Sequence, residues 1–554
     1  ESFAFLTGRL QRDIDNQLPD IAASLLDVLY PQLLSPIPSM SIAAFHPDPE
    51  QSRALLGFEI PRDTMLFAAA DDGLTCRFQT KYPVTIWPVE VGHAGLHSPA
   101  GFKFLDERSD VASVLRIGLN CSGKRVFAEF SPPKLRFFIQ APLAVSATLY
   151  ELLLNRVVDV AVVEPDGAPR FLKKGCIKAV GFDRDEEVLP YLPHAHSGYR
   201  LIQEYFAFPE KFLFFDLELD ALSPAGRLSI RRSVELLFMV SERPPGSVHV
   251  DRDTFRLGCT PIINLFRKVS EPVRVDQTQL EYLLEPDYRW ARATEIHSIL
   301  KISGTSAFED DSRSIQPFFS FTHEDLERRQ AAFWVARRRP TARPDLQGTD
   351  VMLSFHDLDF EPTQPATEIV FAHTLCTNRG IAEQLVASTP LEIEVDAPIR
   401  MITCLMKPTR QLNPQRSGDM LWRLVSHLSV NYLSLSEGED SLAALREILR
   451  IYAGEHSATV MKQVGGLADL KTRRVVRRIG KDAWRGFCRG TEVTLTLDET
   501  QFVGGSAFLM SAVLCRFFGL YAATNSFTQL VIRSRQRDEI WKTWPPLAGE
   551  TPVL

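Results

Sequence analysis

The sequence predicts a multi-domain α+β protein in which antiparallel β-sheets predominate. With 554 residues the chain is too long for one hydrophobic core, so we expect several domains. Between residues 40 and 300, short apolar or alternating runs are separated by Pro, Gly and Asp, mostly without helices between them. This order favours antiparallel sheets over a doubly wound α/β fold. Helical spacing is confined mainly to the N terminus and the C-terminal half.

Residues 1–40 are predicted to form a helical N-terminal segment. An apolar stripe with spacings of three and four residues runs along its first helix. This N-terminal stripe consists of Phe3, Leu6, Leu10 and Ile14. A second helical stripe contains Ile21 and Leu25, and prolines after residue 30 end the helical pattern. Two interpretations stay open: the N-terminal stripe packs in the core of this chain, or it joins a helix bundle with another subunit.

Residues 41–300 are predicted to form one or more β-rich domains. The clearest strand patterns are Ser41–Phe45, Tyr82–Val91, Val111–Leu119 and Phe212–Leu217. Helical patterns interrupt them at Ala144–Leu154 and Tyr199–Phe206. The polar, charge-rich stretch 301–350 that follows is predicted to be a flexible connection or a surface insertion.

Residues 351–535 are predicted to form a mixed α/β domain, and residues 536–554 a tail. The helical patterns are Met420–Leu435, Leu442–Tyr452 and Ala507–Tyr521. Strict alternation in Glu492–Leu497 predicts a strand with one apolar face. That face consists of Val493, Leu495 and Leu497.

Charge and cysteine usage limit the function classes. The net charge of -7 makes general binding to nucleic acids or anionic membranes unfavourable. The eight cysteines are scattered without a Cys-x-x-Cys pair, which is typical of reduced thiols in a cytoplasmic protein. The longest apolar runs fall short of the ~20 residues that a membrane-spanning helix needs.

Motif searches point away from catalysis. The sequence contains neither a Gly-x4-Gly-Lys-Ser/Thr nor a Gly-x-Gly-x-x-Gly phosphate loop, and neither His-Glu-x-x-His nor Gly-x-Ser-x-Gly. Ser131 and Lys134 have Ser-x-x-Lys spacing, but two intervening prolines oppose the helical turn which that chemistry requires. His194 and His196 lie in a Pro-containing loop without an evident third metal ligand. We therefore predict no catalytic residue, no cofactor and no metal site.

One concentrated basic run is a candidate interaction surface. It contains Arg473, Arg474, Arg477 and Arg478, and further cations follow it. Three interpretations stay open: a solvated face with local ion pairs, a contact with an acidic protein, or a nucleic-acid contact. The acidic chain and the lack of interleaved aromatic residues disfavour the last of these.

Collinear blocks along the whole chain resemble the TssF family (also called ImpG or VasA) of the bacterial type VI secretion system. The blocks that carry the resemblance include Glu1–Leu6, Leu26–Pro31, Gly198–Phe212, Leu257–Phe266, Cys376–Arg379, Trp422–Tyr432 and Tyr521–Phe527. Two departures are visible. Gly380 and Ile381 stand where the family tends to have an acidic residue and a proline, and the family has several dozen residues ahead of the position of Glu1.

The resemblance implies a structural role in the baseplate wedge rather than an enzyme. It implies assembly of two TssF copies with one TssG, joined to TssK. In the assembled baseplate it implies contacts with TssE, VgrG, Hcp and the sheath, docked at the inner-membrane complex. It implies that the N-terminal stripe joins an inter-subunit bundle and that the 301–350 stretch supplies a hinge. An uncharacterised enzyme and a nucleic-acid-binding protein are the alternative functions.

Overall fold

Antiparallel sheets make up most of the computed structural model, and helices are concentrated in the C-terminal half. The structure describes residues 21–27, 30–48, 57–70, 73–123, 126–129, 132–165, 167–191, 197–219, 232–276, 278–306, 313–318, 332–357, 368–414, 418–428, 441–453, 458–478, 487–524 and 526–549. Several sheets with separate apolar cores fill these ranges. The predicted multi-domain α+β fold class is confirmed.

Six of the described strands close into a barrel. In order around it they are β1 (Met40–Pro47), β15 (Cys259–Ile263), β4 (Thr75–Thr80), β3 (Met65–Ala69), β24 (Pro390–Ile393) and β25 (Ile399–Cys404). A two-stranded antiparallel sheet of β2 (Phe58–Ile60) and β5 (Val84–Ile86) adds to its core. Since β24 and β25 follow residue 350, the barrel joins segments that the sequence analysis assigned to different domains. Local patterns do not reveal this pairing, because β1 and β25 are more than 300 residues apart.

Two sheets pack face to face beside the barrel. The first contains β10 (Arg170–Phe171), β9 (Val157–Val163), β13 (Ser233–Val240), β7 (Ser113–Cys121) and β6 (Val89–His97). The second contains β11 (Ile177–Ala179), β12 (Phe214–Glu218), β8 (Lys134–Ile139) and β14 (Phe255–Arg256). Phe215 of β12 contacts Phe238 of β13 edge-to-face, with ring centroids 6.4 Å apart. Interlocked phenylalanines therefore hold the two sheets together.

Eight further described strands form the next sheet. They are β16 (Phe266–Val269), β17 (Val273–Val275), β18 (Tyr282–Leu284), β19 (Glu295–Ser306), β20 (Arg313–Pro317), β21 (Ala332–Pro340), β22 (Thr349–Asp357) and β23 (Glu368–Thr377). The described residues of 301–350 lie largely in β19 to β22, so the flexible connection is wrong for them, whereas the alternative of a surface insertion stays a prediction. Ile302 and Ile315 are buried in the core on one face of this sheet, and Trp334 packs against the same core. Charged residues between such buried positions made the stretch resemble a loop.

The C-terminal sheet combines a long hairpin with a crossover helix. It contains β26 (Leu467–Arg478), β27 (Phe487–Leu497), β28 (Phe527–Ser534), β29 (Ile540–Thr543) and β30 (Leu547–Ala548). The predicted tail is wrong for residues 540–548, because β29 and β30 pair with β28. Trp541, which alternates with more exposed neighbours, is buried against Phe508.

Except for α6, which was not predicted, the described helices lie close to the predicted positions. They are α1 (residues 21–27), α2 (Leu143–Glu151), α3 (Ser197–Ala207), α4 (Gly418–Leu428), α5 (Ser441–Ala453), α6 (Ala458–Gly465) and α7 (Ala507–Tyr521). A π-helical turn follows α2 at Leu152–Arg156. Short 3-10 turns lie at Pro31–Leu33, Pro99–Gly101, Lys103–Leu105, Phe127–Glu129, Arg184–Glu186, Pro209–Phe212, Arg379–Gln384 and Glu499–Gln501. Helix α7 connects β27 to β28, which are parallel and therefore need such a crossover.

Candidate assembly surfaces

The weak catalytic signal at Lys134 is explained by a structural ion pair. Its Nζ donates to Asp216 Oδ2 at 3.1 Å, and Arg136 Nε donates to Asp216 Oδ1 at 2.7 Å. Burial alone raises the pKa of Asp216, but the hydrogen bond and charge of Arg136 outweigh it, so the pKa lies below its ordinary value. Ser131 falls outside the described residues, as do His194 and His196. The described ranges hold no group of three or more His, Cys, Asp or Glu side chains suited to a metal ion.

The predicted basic run forms most of strand β26, at the edge of the C-terminal sheet. Arg473 Nη2 donates to Glu492 Oε1 at 2.8 Å, and Arg477 Nη2 donates to Glu492 Oε2 at 2.6 Å. Both arginines therefore share one carboxylate of the neighbouring strand β27. Exposed bridges of this kind contribute ~0–1 kcal/mol each, so they fix side-chain positions more than they stabilise the fold.

The other two arginines of the run lie on the opposite face of β26. Side chains alternate along a strand, so Arg474 and Arg478 point away from Arg473 and Arg477. Both are exposed. The structure therefore divides the predicted four-arginine set into two pairs with different surroundings.

Helix α1 buries a different face from the predicted apolar stripe. Ala22, Ala23 and Leu26 are buried in the main core, whereas Ile21 is 59% exposed and Leu25 is 42% exposed. The small alanines allow close approach to the core, and the two larger apolar residues remain on the surface. The N-terminal stripe, with Phe3, Leu6, Leu10 and Ile14, lies outside the described residues.

A buried charge network in the Gly198–Phe212 block was missed by the sequence analysis. Lys211 Nζ donates to Glu204 Oε2 and, at 3.1 Å, to the Glu186 carbonyl oxygen. Glu204 Oε1 accepts hydrogen bonds from the backbone N–H groups of Val188 at 2.7 Å and Leu189 at 2.9 Å. The network therefore fixes the 188–189 backbone against α3 and the 3-10 turn that follows it.

The charged state of Glu204 follows from these partners. Burial alone raises the pKa of this carboxyl group, but Lys211 and Arg200 outweigh that effect and leave the pKa below its ordinary value. Arg200 also contacts Glu187 at the rim of the network. The sequence did contain a signal: Arg200 and Glu204 are four residues apart in a helix whose neighbouring residues are mostly apolar or aromatic, a spacing that allows the two charges to pair.

A second polar junction connects the barrel to the eight-stranded sheet. Asn264, which follows barrel strand β15, donates through Nδ2 to Asn378 Oδ1 at 2.8 Å and to the Arg77 carbonyl at 2.7 Å. The Asn378 backbone N–H donates back to Asn264 Oδ1 at 2.7 Å. This reciprocal pair satisfies amide groups in the interior, where an unpaired one would be costly.

The neighbouring residue, Arg379, extends this junction. Its Nε donates to the Thr294 carbonyl at 3.1 Å, and its Nη1 lies 3.5 Å from Glu295 Oε2. Glu295 also accepts from Thr349 Oγ1 at 2.6 Å and from Gln411 Nε2 at 2.8 Å. Arg379, at the end of the Cys376–Arg379 block, and Glu295 thus bring together the chain segments at 294–295, 349 and 411.

The features that the described residues expose are those of an assembly protein. A long hairpin carries arginines on both faces, and an N-terminal helix carries exposed apolar side chains. Contact surfaces between proteins are enriched in arginine and large apolar residues. None of the helices within the described ranges has both the length and the apolar character required to cross a membrane.

The chain belongs to the TssF family of the type VI secretion system, whose family model matches residues 1–551. It is 31% identical over 576 residues to the type VI secretion system component TssF1 of Pseudomonas aeruginosa, an alignment that covers 100% of this chain and 92% of the relative. The fold is similar to a chain in an electron cryo-microscopy structure of the type VI secretion TssK-TssF-TssG baseplate subcomplex. That similarity has a TM-score of 0.78 at 25% identity and covers 100% of this chain and 99% of the other.

A chain from a structure of the type VI secretion baseplate complex has the same fold, with a TM-score of 0.62. It is 20% identical, and the match covers 100% of this chain and 92% of that one. The family model and the 31% identity to TssF1 confirm the family resemblance stated from the sequence.

Proposed function

We propose that this chain is a structural subunit of a type VI secretion baseplate and assembles with TssG- and TssK-type subunits and a second copy of itself. One observation carries the proposal: the fold matches, over the whole chain, that of a chain in the TssK-TssF-TssG subcomplex. In this role the chain contributes surfaces rather than catalysis. The use of Lys134 in a structural ion pair supports that view, because it removes the general base from the Ser-x-x-Lys signal.

The proposed role extends to the wider assembly on the cytoplasmic side of the inner membrane. There the wedge would meet TssE, the VgrG spike, the Hcp tube and the sheath. In this proposal the N-terminal stripe joins an inter-subunit bundle. Helix α1 supports this assignment, since Ile21 and Leu25 continue the apolar character of the segment onto the described surface.

The N-terminal stripe provides the test. Leu6→Asp together with Leu10→Asp places two charges on the apolar stripe, and we expect loss of co-purification with the TssG-type subunit of the same system. Burial of an unpaired carboxylate costs several kcal/mol, enough to disrupt a bundle. The double substitution Arg9→Asp and Arg12→Asp is the matched control, because it adds acidic residues to the same helical pattern off the stripe.

The control variant should retain the TssG-type subunit, and both variants should keep the circular dichroism spectrum of the parent. Retention of the TssG-type subunit by the Leu6 and Leu10 variant would contradict the bundle. Equal loss in both variants would show that charge in general, rather than the stripe, determines assembly.

A further inference from the structure

The hairpin of β26 and β27 extends beyond the sheet to which it belongs. The two strands pair along their whole length, up to Arg478 opposite Phe487. Strand β28 pairs with β27 only from Thr491 onward. The last part of the hairpin, residues 474–478 and 487–490, is therefore a two-stranded ribbon with no third strand beside it in the described structure. Isolated ribbons of this kind are marginally stable, so an extension of this length favours a binding role.

Strand register assigns each ribbon side chain to a face. Opposed residues of an antiparallel pair share a face, and the face changes at every residue. Leu470 pairs with Leu495 on the buried face of the sheet, where Val493 also lies. Counting outward in steps of two, the same face continues on the ribbon. We call this continuation the ribbon face; it consists of Arg474, Val476, Arg478, Phe487 and Arg489.

Within the part of the chain that the structure describes, the helical layer that covers the buried face ends before the ribbon. Helices α5 and α6 pack on β26, and Leu470 belongs to the same core as Leu445 and Ile448 of α5. On the ribbon face, by contrast, Val476 is 61% exposed and Phe487 is 83% exposed. The ribbon face thus continues the apolar face of the sheet beyond the helices that cover it. An exposed apolar surface of this kind is typical of a docking site for a helix of another chain.

We propose that the ribbon face binds an acidic amphipathic helix of a different protein chain, an inference that rests on the baseplate role proposed above. Three arginines surround the two apolar side chains of this face, and its described residues include no carboxylate. The complementary ligand has an apolar position flanked by acidic ones. Arginine suits such a contact, because its planar guanidinium binds carboxylates through two hydrogen bonds.

A second copy of this chain does not meet that requirement. A two-fold contact would place the same arginines opposite each other, which is repulsive. Each described helix of this chain contains at most one acidic residue, so none of the described helices offers the acidic face that a head-to-tail contact would require. We therefore assign the bound helix to another subunit.

Spacing along the ribbon predicts the sequence pattern of the partner. Arg474 and Arg478 are four residues apart on a strand, a distance of about 13 Å at about 3.3 Å per residue. Eight residues of an α-helix span about 12 Å at 1.5 Å per residue. We expect acidic residues at positions i and i+8 of the bound helix, with an apolar residue at i+4 opposite Val476.

Site-specific photo-crosslinking tests the proposal in cells that express the whole secretion system. A photoreactive amino acid replaces Val476 on the ribbon face or, as the matched control, the adjacent Val475 on the opposite face. We expect crosslinks from position 476 to a peptide with the acidic–apolar–acidic spacing, identified by mass spectrometry, and at least tenfold fewer from position 475. Arg474→Glu with Arg478→Glu should reduce the crosslinked product at least tenfold, whereas lysine at both positions should retain most of it.

The opposite-face pair separates binding from hairpin stability. Arg473→Gln with Arg477→Gln removes the contacts to Glu492 but leaves the ribbon face intact, so crosslinking should stay within about twofold of the parent protein. Crosslinks to another copy of this chain, equal yields from both faces, or no crosslink while the TssG-type subunit still co-purifies would overturn the proposal. Loss of co-purification in the parent protein would instead refute the baseplate role.

Discussion

Replacement of Lys211 by methionine should destabilise the region around α3 strongly while preserving side-chain volume. Lys211 is fully buried, and its ammonium group binds the buried carboxylate of Glu204 and the carbonyl of Glu186. Methionine fills a similar space without a charge. The substitution therefore tests electrostatics rather than packing, because the cavity that a smaller residue would leave is avoided.

The expected magnitude follows from what Glu204 retains. Removal of one partner from a buried ion pair costs about 3–5 kcal/mol, since the remaining charge is left uncompensated. Glu204 still accepts hydrogen bonds from Val188 and Leu189, and Arg200 Nε lies 3.9 Å from its Oε2. These contacts moderate the loss, so we expect about 3 kcal/mol, the lower end of that range.

The double variant Glu204→Gln with Lys211→Met identifies the cause. Glutamine still accepts the two backbone N–H groups through its amide oxygen but carries no charge. We therefore expect the double variant to lie within about 1–2 kcal/mol of the parent protein, more stable than the single Lys211 variant. Such non-additivity is characteristic of residues in direct contact.

Hydrogen exchange at the backbone amides of Val188 and Leu189 is the appropriate assay. A chain with several cores need not unfold in one step, so a local opening free energy is better defined than a global one. A loss of 3 kcal/mol corresponds to an increase of about 150-fold in the open population. An increase below about fivefold in the single variant, or equal exchange in single and double variants, would refute the reasoning.

Three further predictions concern titration, thiol reactivity and packing. Burial, with the charge of Arg338, lowers the pKa of His297 to about 3, so on acidification the unfolded state binds the extra proton first. The free energy of unfolding should therefore fall as the pH drops from about 6.5 towards 3, with a loss of about 3 kcal/mol at pH 4.5. Denaturant titrations should show that His297→Asn reduces this pH dependence. Cys488 is the one cysteine that is not buried, so Ellman's reagent should modify one thiol rapidly and the other seven only on unfolding; two or more rapid thiols would contradict this. A Cβ at position 490 would lie 2.4 Å from the Phe527 ring, whereas one at Gly465 meets no atom within 4 Å. Gly490→Ala should therefore cost about 1–3 kcal/mol and the Gly465→Ala control far less, as thermal denaturation will show.

Local periodicity was sufficient to locate most elements in this chain. Helix α7 begins and ends at the predicted residues, because Ser506 caps its first turn and the apolar run ends at Tyr521. The alternating Glu492–Leu497 pattern likewise predicted the buried face of β27. These signals depend on neighbours in sequence, so one sequence is enough to read them.

Sequence-distant pairing was not predictable in the same way. Closure of the barrel by β25 on β1 and the polar junction between Asn264 and Asn378 both join segments more than 100 residues apart. The 301–350 stretch resembled a loop for a related reason, since its charges lie between the buried positions of a sheet. Composition averages over the two faces of a strand, and the distinction between connection and sheet is lost in the average.

The basic run shows that the roles of clustered charges on a strand depend on the face on which each side chain lies. As a sequence feature, the four arginines formed a single set, and substituting all of them together would have been the natural experiment. Arg473 and Arg477 hold Glu492 on one face, whereas Arg474 and Arg478 extend the apolar core face beyond its helices. A fourfold variant would therefore combine the loss of the contacts to Glu492 with a loss of binding charge. Substitution by pairs is the experiment that separates these effects, because alternation places each pair on its own face.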